Sequence, residues 1–220
     1  MKKCSICAVA LFLSVFFLII SFSVAIPIIV RPIYYTQLNK SNMETLGPYS
    51  KEQIKEAYDD ILDFLTLKKK DFSCGQLKFS KSGQDHFKDC RNLFVLDFSI
   101  LSISATITII LLLLKNRCNL YLGKFYAFFY SGFLAIIMLI IISLFSIYGF
   151  DYIFIIFHKI FFIGKTNWYF DAYTDEIIYY LPESFFLKCA VIIGICIFIL
   201  SALCIIIGLK SKKRLHKKRK

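Results

Sequence analysis

Three histidines occur in the 220 residues, and two of them stand where they could exchange protons. His86 lies in QDHFKDCR, just ahead of a long apolar run, and His158 lies in FIIFHKIF, just after another; His216 is embedded in a basic tail. An imidazole gains or loses its proton near neutral pH, so two of them can divide the work of general base and general acid. Asp89, one helical turn beyond His86, could orient that ring, as Asp151 or Asp175 could for His158. Arg91 and Lys159 are neighbouring cations that could steady a developing oxyanion or anchor lipid headgroups. Trp168 and Asp175 belong to a dense polar cluster after His158, together with Asp171, Pro182 and Glu183. Each histidine taken singly is more simply a satisfied interfacial residue. The pair carries the acid–base reading.

Other chemistries find less support in the residues. GxSxG, HExxH and a glycine-rich phosphate loop are absent. His86, His158, Asp89 and Asp175 could hold a metal, but no HxxxH or HxH spacing accompanies them, and that is a weak zinc signal. No cofactor is expected.

The elements that must position these side chains are membrane spans. Hydrophobic residues make up 58% of the chain, too many for an ordinary soluble domain. Crossing a core of about 30 Å takes about 20 apolar residues, and four runs reach that length: 6–30, 93–114, 125–147 and 185–209. The sequence therefore predicts an all-α membrane protein, a single domain over 1–220. Its four-transmembrane-helix bundle carries an extracellular amphipathic helix and an interfacial, re-entrant-like segment between the third and fourth spans. The first run has Ser23-Val24-Ala25 as a small-residue, cleavage-like site, but its apolar core is roughly twice the ~7–15 residues of a signal peptide. It is read as a retained helix, with Pro27 and Pro32 at its frayed outer end.

Basic residues orient the spans. Lys2 and Lys3 precede the first, Lys115, Arg117 and Lys124 join the second to the third, and eight Lys and Arg residues lie between Lys210 and Lys220. All 15 acids lie elsewhere, so both termini and the tail 210–220 are expected in the cytosol and segments 31–92 and 148–184 outside. The net charge of +12 is then a consequence of topology. The tail fits anionic headgroups better than nucleic acid, because no aromatic or glycine is interleaved to stack bases. No nucleic-acid partner is expected.

The eight cysteines form no framework. Cys4, Cys7, Cys189, Cys196 and Cys204 lie in or beside spans, where cysteine packs as a small hydrophobe, and Cys118 falls in the cytosolic loop. Cys74 and Cys90 alone fall in the segments expected outside the cell and could bridge. Residues 31–47 read as irregular. Ser50 and Gln53 have capping-box spacing, and Ile54, Ala57, Tyr58, Ile61, Leu62 and Leu65 recur at helical intervals opposite Glu52, Glu56, Asp59, Asp60 and Asp63. That predicts an amphipathic helix packed on protein, ended by Lys68-Lys69-Lys70. Residues 71–81 suggest a short extended piece or hairpin. Asp97 stands at the outer edge of the second span, turned to a bundle interior or reaching the interface. Segment 151–186 is too aromatic for a solvated loop, with Phe154, Phe157, Phe161 and Phe162 around His158. Rings of that kind settle where hydrocarbon meets headgroup.

With these blocks in view, the chain resembles the lipoprotein intramolecular transacylases, small integral membrane proteins of Firmicutes. The resemblance rests on Tyr49-Ser50 through the acidic helix to Leu65, on His86 through Cys90, and on Phe157-His158, Phe162, Gly164, Trp168-Tyr169-Phe170-Asp171, Asp175 and Leu181 through Phe186. The family usually has Met-x-Asp-Val after its first histidine, where this chain has Phe87-Lys88-Asp89-Cys90. The resemblance implies transfer of the sn-2 acyl chain of a diacylglyceryl-modified lipoprotein to the α-amine of that lipoprotein's N-terminal cysteine. It also implies that His86 and His158 are catalytic, that the site opens at the outer leaflet, and that the partners are the lipoprotein substrate and membrane lipids. The residues by themselves leave two other classes open: a non-catalytic receptor or subunit that binds through 31–92, and a metal-dependent membrane hydrolase. Oligomeric state is not legible in the sequence.

Overall fold

The computed structural model describes residues 2–114, 120–146 and 149–219. Lys115, Asn116, Arg117, Cys118 and Asn119 lie outside the described residues, as do the side chains of Cys4 and His216. Seven α-helices are described: α1 (Lys2–Ile29), α2 (Pro32–Lys40), α3 (Lys51–Leu65), α4 (Lys81–Leu113), α5 (Tyr121–Phe145), α6 (Phe150–Phe161) and α7 (Glu183–Arg219). Four of them contain stretches long and apolar enough to cross a membrane, Ile6–Ile29, Lys81–Leu113, Lys124–Phe145 and Glu183–Lys212, which agrees with the four predicted spans. At 1.5 Å per residue the 33 residues of α4 reach about 50 Å, well beyond a ~30 Å hydrocarbon core. Its first three turns, which carry His86, Asp89 and Cys90, therefore extend past the span.

The chain divides into two compact units. The bundle unit comprises residues 1–25, 97–144 and 192–220. Leu11, Val15 and Ile19 of α1 are buried with Ala127, Phe128 and Ala135 of α5 and Ile197 of α7. Small residues let backbones approach: a Cβ at Gly132 would lie 2.5 Å from the Ser201 carbonyl oxygen, and one at Gly208 would lie 2.9 Å from the Phe129 nitrogen. Hydroxyls bond within and between helices, Thr108 donating to Ser14 at 2.9 Å and Ser131 to the Phe12 carbonyl at 2.7 Å. Asp97 hydrogen-bonds with Ser21, and its other carboxylate oxygen is buried without a partner among the described residues.

The cap unit comprises residues 26–96 and 145–191. Its core is aromatic: Tyr34 stacks on Tyr58 with centroids 3.8 Å apart, Phe185 meets Tyr34 edge-on at 5.2 Å, and the Tyr34 hydroxyl donates to the Tyr180 carbonyl at 2.9 Å. The capping box forms as expected, with Gln53 N–H donating to Ser50 Oγ and Ser50 N–H to Gln53 Oε1. The predicted apolar stripe of α3 is buried, with Phe64 added to it. Its acidic face is met by protein: Arg31 bonds Asp59 at 2.9 Å and also Asp63, while Lys69 and Ser73 bond Asp60.

Two local expectations are corrected. Residues 31–47 are not irregular, because Pro32, with its φ preset for a helical first turn, opens α2, and a 3-10 turn follows at Met43–Thr45. Residues 71–81 form no hairpin: Gly75, at φ +60°, turns the chain beneath Ala57, and Leu77 N–H donates to the Cys74 carbonyl. Cys74 and Cys90 are both free.

Candidate active site

Both histidines project from helices of the cap unit, and each is held from a different side. Ser80 anchors the start of α4, donating from N–H and hydroxyl to the two oxygens of Asp175, each at 2.8 Å, while its hydroxyl accepts from Gly83 N–H at 2.9 Å. Gly83 is required there, since a Cβ would collide with the Asp175 carboxylate. Asp175, 3% exposed, thus fixes the helix that carries His86, and among the described residues no hydrogen bond joins it to His158. Phe87 turns into the core and stacks on Phe72 at 5.1 Å, leaving the adjacent His86 ring on the other side, between Phe162 at 4.9 Å and Phe170 at 5.4 Å.

His158 sits in the last turn of α6, which begins after Gly149 at φ +103°. Its Nδ1 lies 2.6 Å from the Phe154 carbonyl oxygen, and a carbonyl only accepts, so Nδ1 carries the proton and Nε2 the lone pair. Trp168 stacks on the ring at 4.8 Å and 29°, with its own Nε1–H donating to the Lys165 carbonyl. The outer side of α6 leaves Tyr152, Phe157, Ile160 and Phe161 exposed, as an interfacial segment requires.

The two imidazoles meet. Their centroids are 5.8 Å apart and their planes are inclined by 30°. They are 6% and 7% exposed, covered by Phe162, Trp168 and Phe170. Burial, reinforced by the nearby His158, pulls His86 down to about 4, against the pull of Asp89 in the other direction. Burial also lowers His158, although the Phe154 carbonyl opposes it. Both shifts favour the neutral ring.

The supporting residues fall differently from the sequence-based expectation. Asp89 does not brace His86. Its carboxylate is bound by Lys165 and by Asn167 Nδ2 at 3.0 Å, tying α4 to the segment over the rings. Burial pushes that carboxyl up, but the bonds from Lys165 and Asn167 outweigh it and hold it below its ordinary value. Arg91 donates to the Lys70 carbonyl and lies over the Phe64 ring at 4.5 Å, and Lys159 is exposed on α6. Lys165 and Asn167 were not singled out by sequence reasoning, and Cys90, whose Sγ is 3.4 Å from His86 Nε2, was singled out as a possible disulfide partner and not for the site. The Lys165–Asp89 bond spans 76 residues, and nothing local announces it. Among the described residues no three His, Cys, Asp or Glu side chains group as metal ligands would.

This geometry can be set beside known proteins. The family model described as lipoprotein intramolecular transacylase Lit matches residues 9–186. Solved structures of the membrane integral lipoprotein intramolecular transacylase Lit from Bacillus cereus share the fold. One has a TM-score of 0.85 at 24% identity, covering 98% of this chain and 99% of that one. Two others, in which a histidine is replaced by arginine or by alanine, have TM-scores of 0.80 at 22% identity; they cover 99% and 98% of this chain and 95% and 96% of theirs. No curated protein matches the sequence.

Proposed function

The chain belongs to the lipoprotein intramolecular transacylase family and is an acyltransferase, and from that premise we propose that His86 and His158 catalyse acyl migration within a bacterial lipoprotein. The acyl chain leaves the sn-2 oxygen of the diacylglyceryl group and joins the α-amine of the same molecule's N-terminal cysteine. A lyso-form lipoprotein results. The observation that carries the reading is the meeting of two buried imidazoles, 5.8 Å apart, under an aromatic cover.

An α-ammonium with a pKa near ~8 is largely protonated at neutral pH and must lose a proton before it can attack. Once it is neutral, the amine nitrogen adds to the ester carbonyl. His158 Nε2, whose lone pair is fixed by the bond from Nδ1 to Phe154, takes the second amine proton. His86 offers an N–H to the oxyanion that forms. When the C–O bond breaks, the proton held by His158 passes to the departing sn-2 oxygen, so one ester is exchanged for one amide. Amine and ester are already joined, and orientation of this kind can contribute ~7–11 kcal/mol. No covalent enzyme intermediate is required.

The basic residues at the N-terminus and tail put both ends in the cytosol. Segments 31–92 and 148–184, and with them the histidine pair, then face outward, where the lipid tails of a lipoprotein lie in the outer leaflet. Phe162, Trp168 and Phe170 must shift to admit the ester. Substrate and product are isomers, so intact mass does not separate them; tandem mass spectrometry of the lipoprotein's N-terminal peptide does. Replacing either histidine by glutamine should lower lyso-form product by ~10²–10⁴-fold while the protein remains membrane-inserted. Undiminished N-acyl product from either variant would refute the assignment.

A further inference from the structure

Cys90 stands one turn beyond His86 on α4, and its Sγ lies 3.4 Å from His86 Nε2. The other ring nitrogen, Nδ1, is buried and has no hydrogen-bond partner among the described residues. A neutral imidazole has one N–H and one lone pair, so whatever faces Nε2 decides what Nδ1 can do. We propose that Cys90 is a positioning residue that sets the tautomer of His86: its S–H donates to Nε2, which places the ring proton on Nδ1 and leaves that N–H as the donor for the substrate's ester oxygen. The assignment rests on the acyl-transfer reading above and gives the two rings opposite parts in it.

Of the two imidazoles, His86 is the one that can supply that donor. His158 Nδ1 is committed to the Phe154 carbonyl, so this ring contributes only a lone pair. Lys165 is bound to Asp89, and Asp89 is an acceptor. If Sγ instead accepted from Nε2–H, both histidines would present lone pairs and neither ring would give the developing oxyanion a donor. Burial pushes the Cys90 thiol up to about 12, so it keeps its hydrogen and offers no thiolate to accept one. A neutral sulfur accepts weakly.

The test uses the full-length chain in detergent micelles, labelled with ¹⁵N-histidine, with His86→Gln identifying the His86 signals. Near pH 7.5 the wild-type protein should show His86 protonated on Nδ1. Cys90→Ala should shift the population toward Nε2–H and slow N-acylation by roughly 3- to 10-fold, the scale of one lost hydrogen bond. Cys90→Ser, whose hydroxyl also donates, should restore both. A wild-type His86 protonated on Nε2, or a Cys90→Ala protein with unchanged tautomer, would overturn the proposal. The two readings fail separately. An active His86→Gln protein sinks the acyl-transfer roles, whereas an inactive His86→Gln beside a wild-type-like Cys90→Ala sinks the role of Cys90 alone.

Discussion

In the bundle unit, hydroxyls mostly return their hydrogen bonds to their own helix: Ser23 to Ile19, Ser102 to Phe98, Ser104 to Ile100. In the cap unit polar side chains reach far along the chain, Arg31 to Asp59 across 28 residues, Tyr49 to Glu176 across 127, and Lys188 to the Ile33 carbonyl across 155. The bundle needs little more than close approach, because lipid gives its helices no hydrophobic drive to associate and packing of small residues replaces it. The cap holds titratable groups at set distances, which takes partners on several elements. Chemistry that depends on one nitrogen facing another belongs in the second kind of structure.

Paired substitutions, one in each unit, should separate stability from rate. Trp168→Ala removes the ring stacked on His158. Losing a buried tryptophan costs ~3–5 kcal/mol in a well-packed core, so the cap should loosen and N-acylation fall at least tenfold. Trp168→Phe should retain most of both, as read by thermal unfolding and single-turnover rates. Gly132→Val, in the bundle, drives a side chain into the Ser201 carbonyl and Ile205. Overpacking of this kind costs ~1–3 kcal/mol, so the unfolding temperature should drop while the rate of the folded fraction holds. An equal rate loss from both variants would erase the distinction between the units.

The smallest effect is on pH. His86 is lowered to about 4 in the fold against ~6.5 when free. Between those values the unfolded chain binds more protons, so stability is fullest above pH ~6.5 and falls as pH drops toward 4. His158, also lowered by burial, adds in the same direction. Asp89 and Lys165 face His86 as well; Asp89, held below its ordinary value by Lys165 and Asn167, weakens only at lower pH. The drop in unfolding temperature from pH 7 to pH 5 should shrink in His86→Gln. A drop of unchanged size would mean that the ring is not held neutral.

What the sequence made legible follows the range of the interaction. The four spans and the capped helix α3 are written in adjacent residues, by run length and by three-four spacing, and they appear where expected. The candidate pair His86 and His158 was visible as residue types, but their convergence depends on α4 and α6, which come together only in the fold. Asp89 misled because a three-residue offset is a local signal, whereas its carboxylate is claimed by Lys165 and Asn167 from a distant loop. The partner of His158 proved to be a backbone carbonyl, which every residue possesses and no side chain announces. Helix α2 was hidden because Pro32 reads equally as a breaker and as a first-turn residue.

The central claim is that the two imidazoles work as one device. Single-turnover N-acylation by His86→Gln, His158→Gln and the double variant measures that directly. Groups acting together are strongly non-additive, so the double variant should be no slower than the slower single one. A double variant whose loss is the product of the two single losses would show two independent residues and contradict the account.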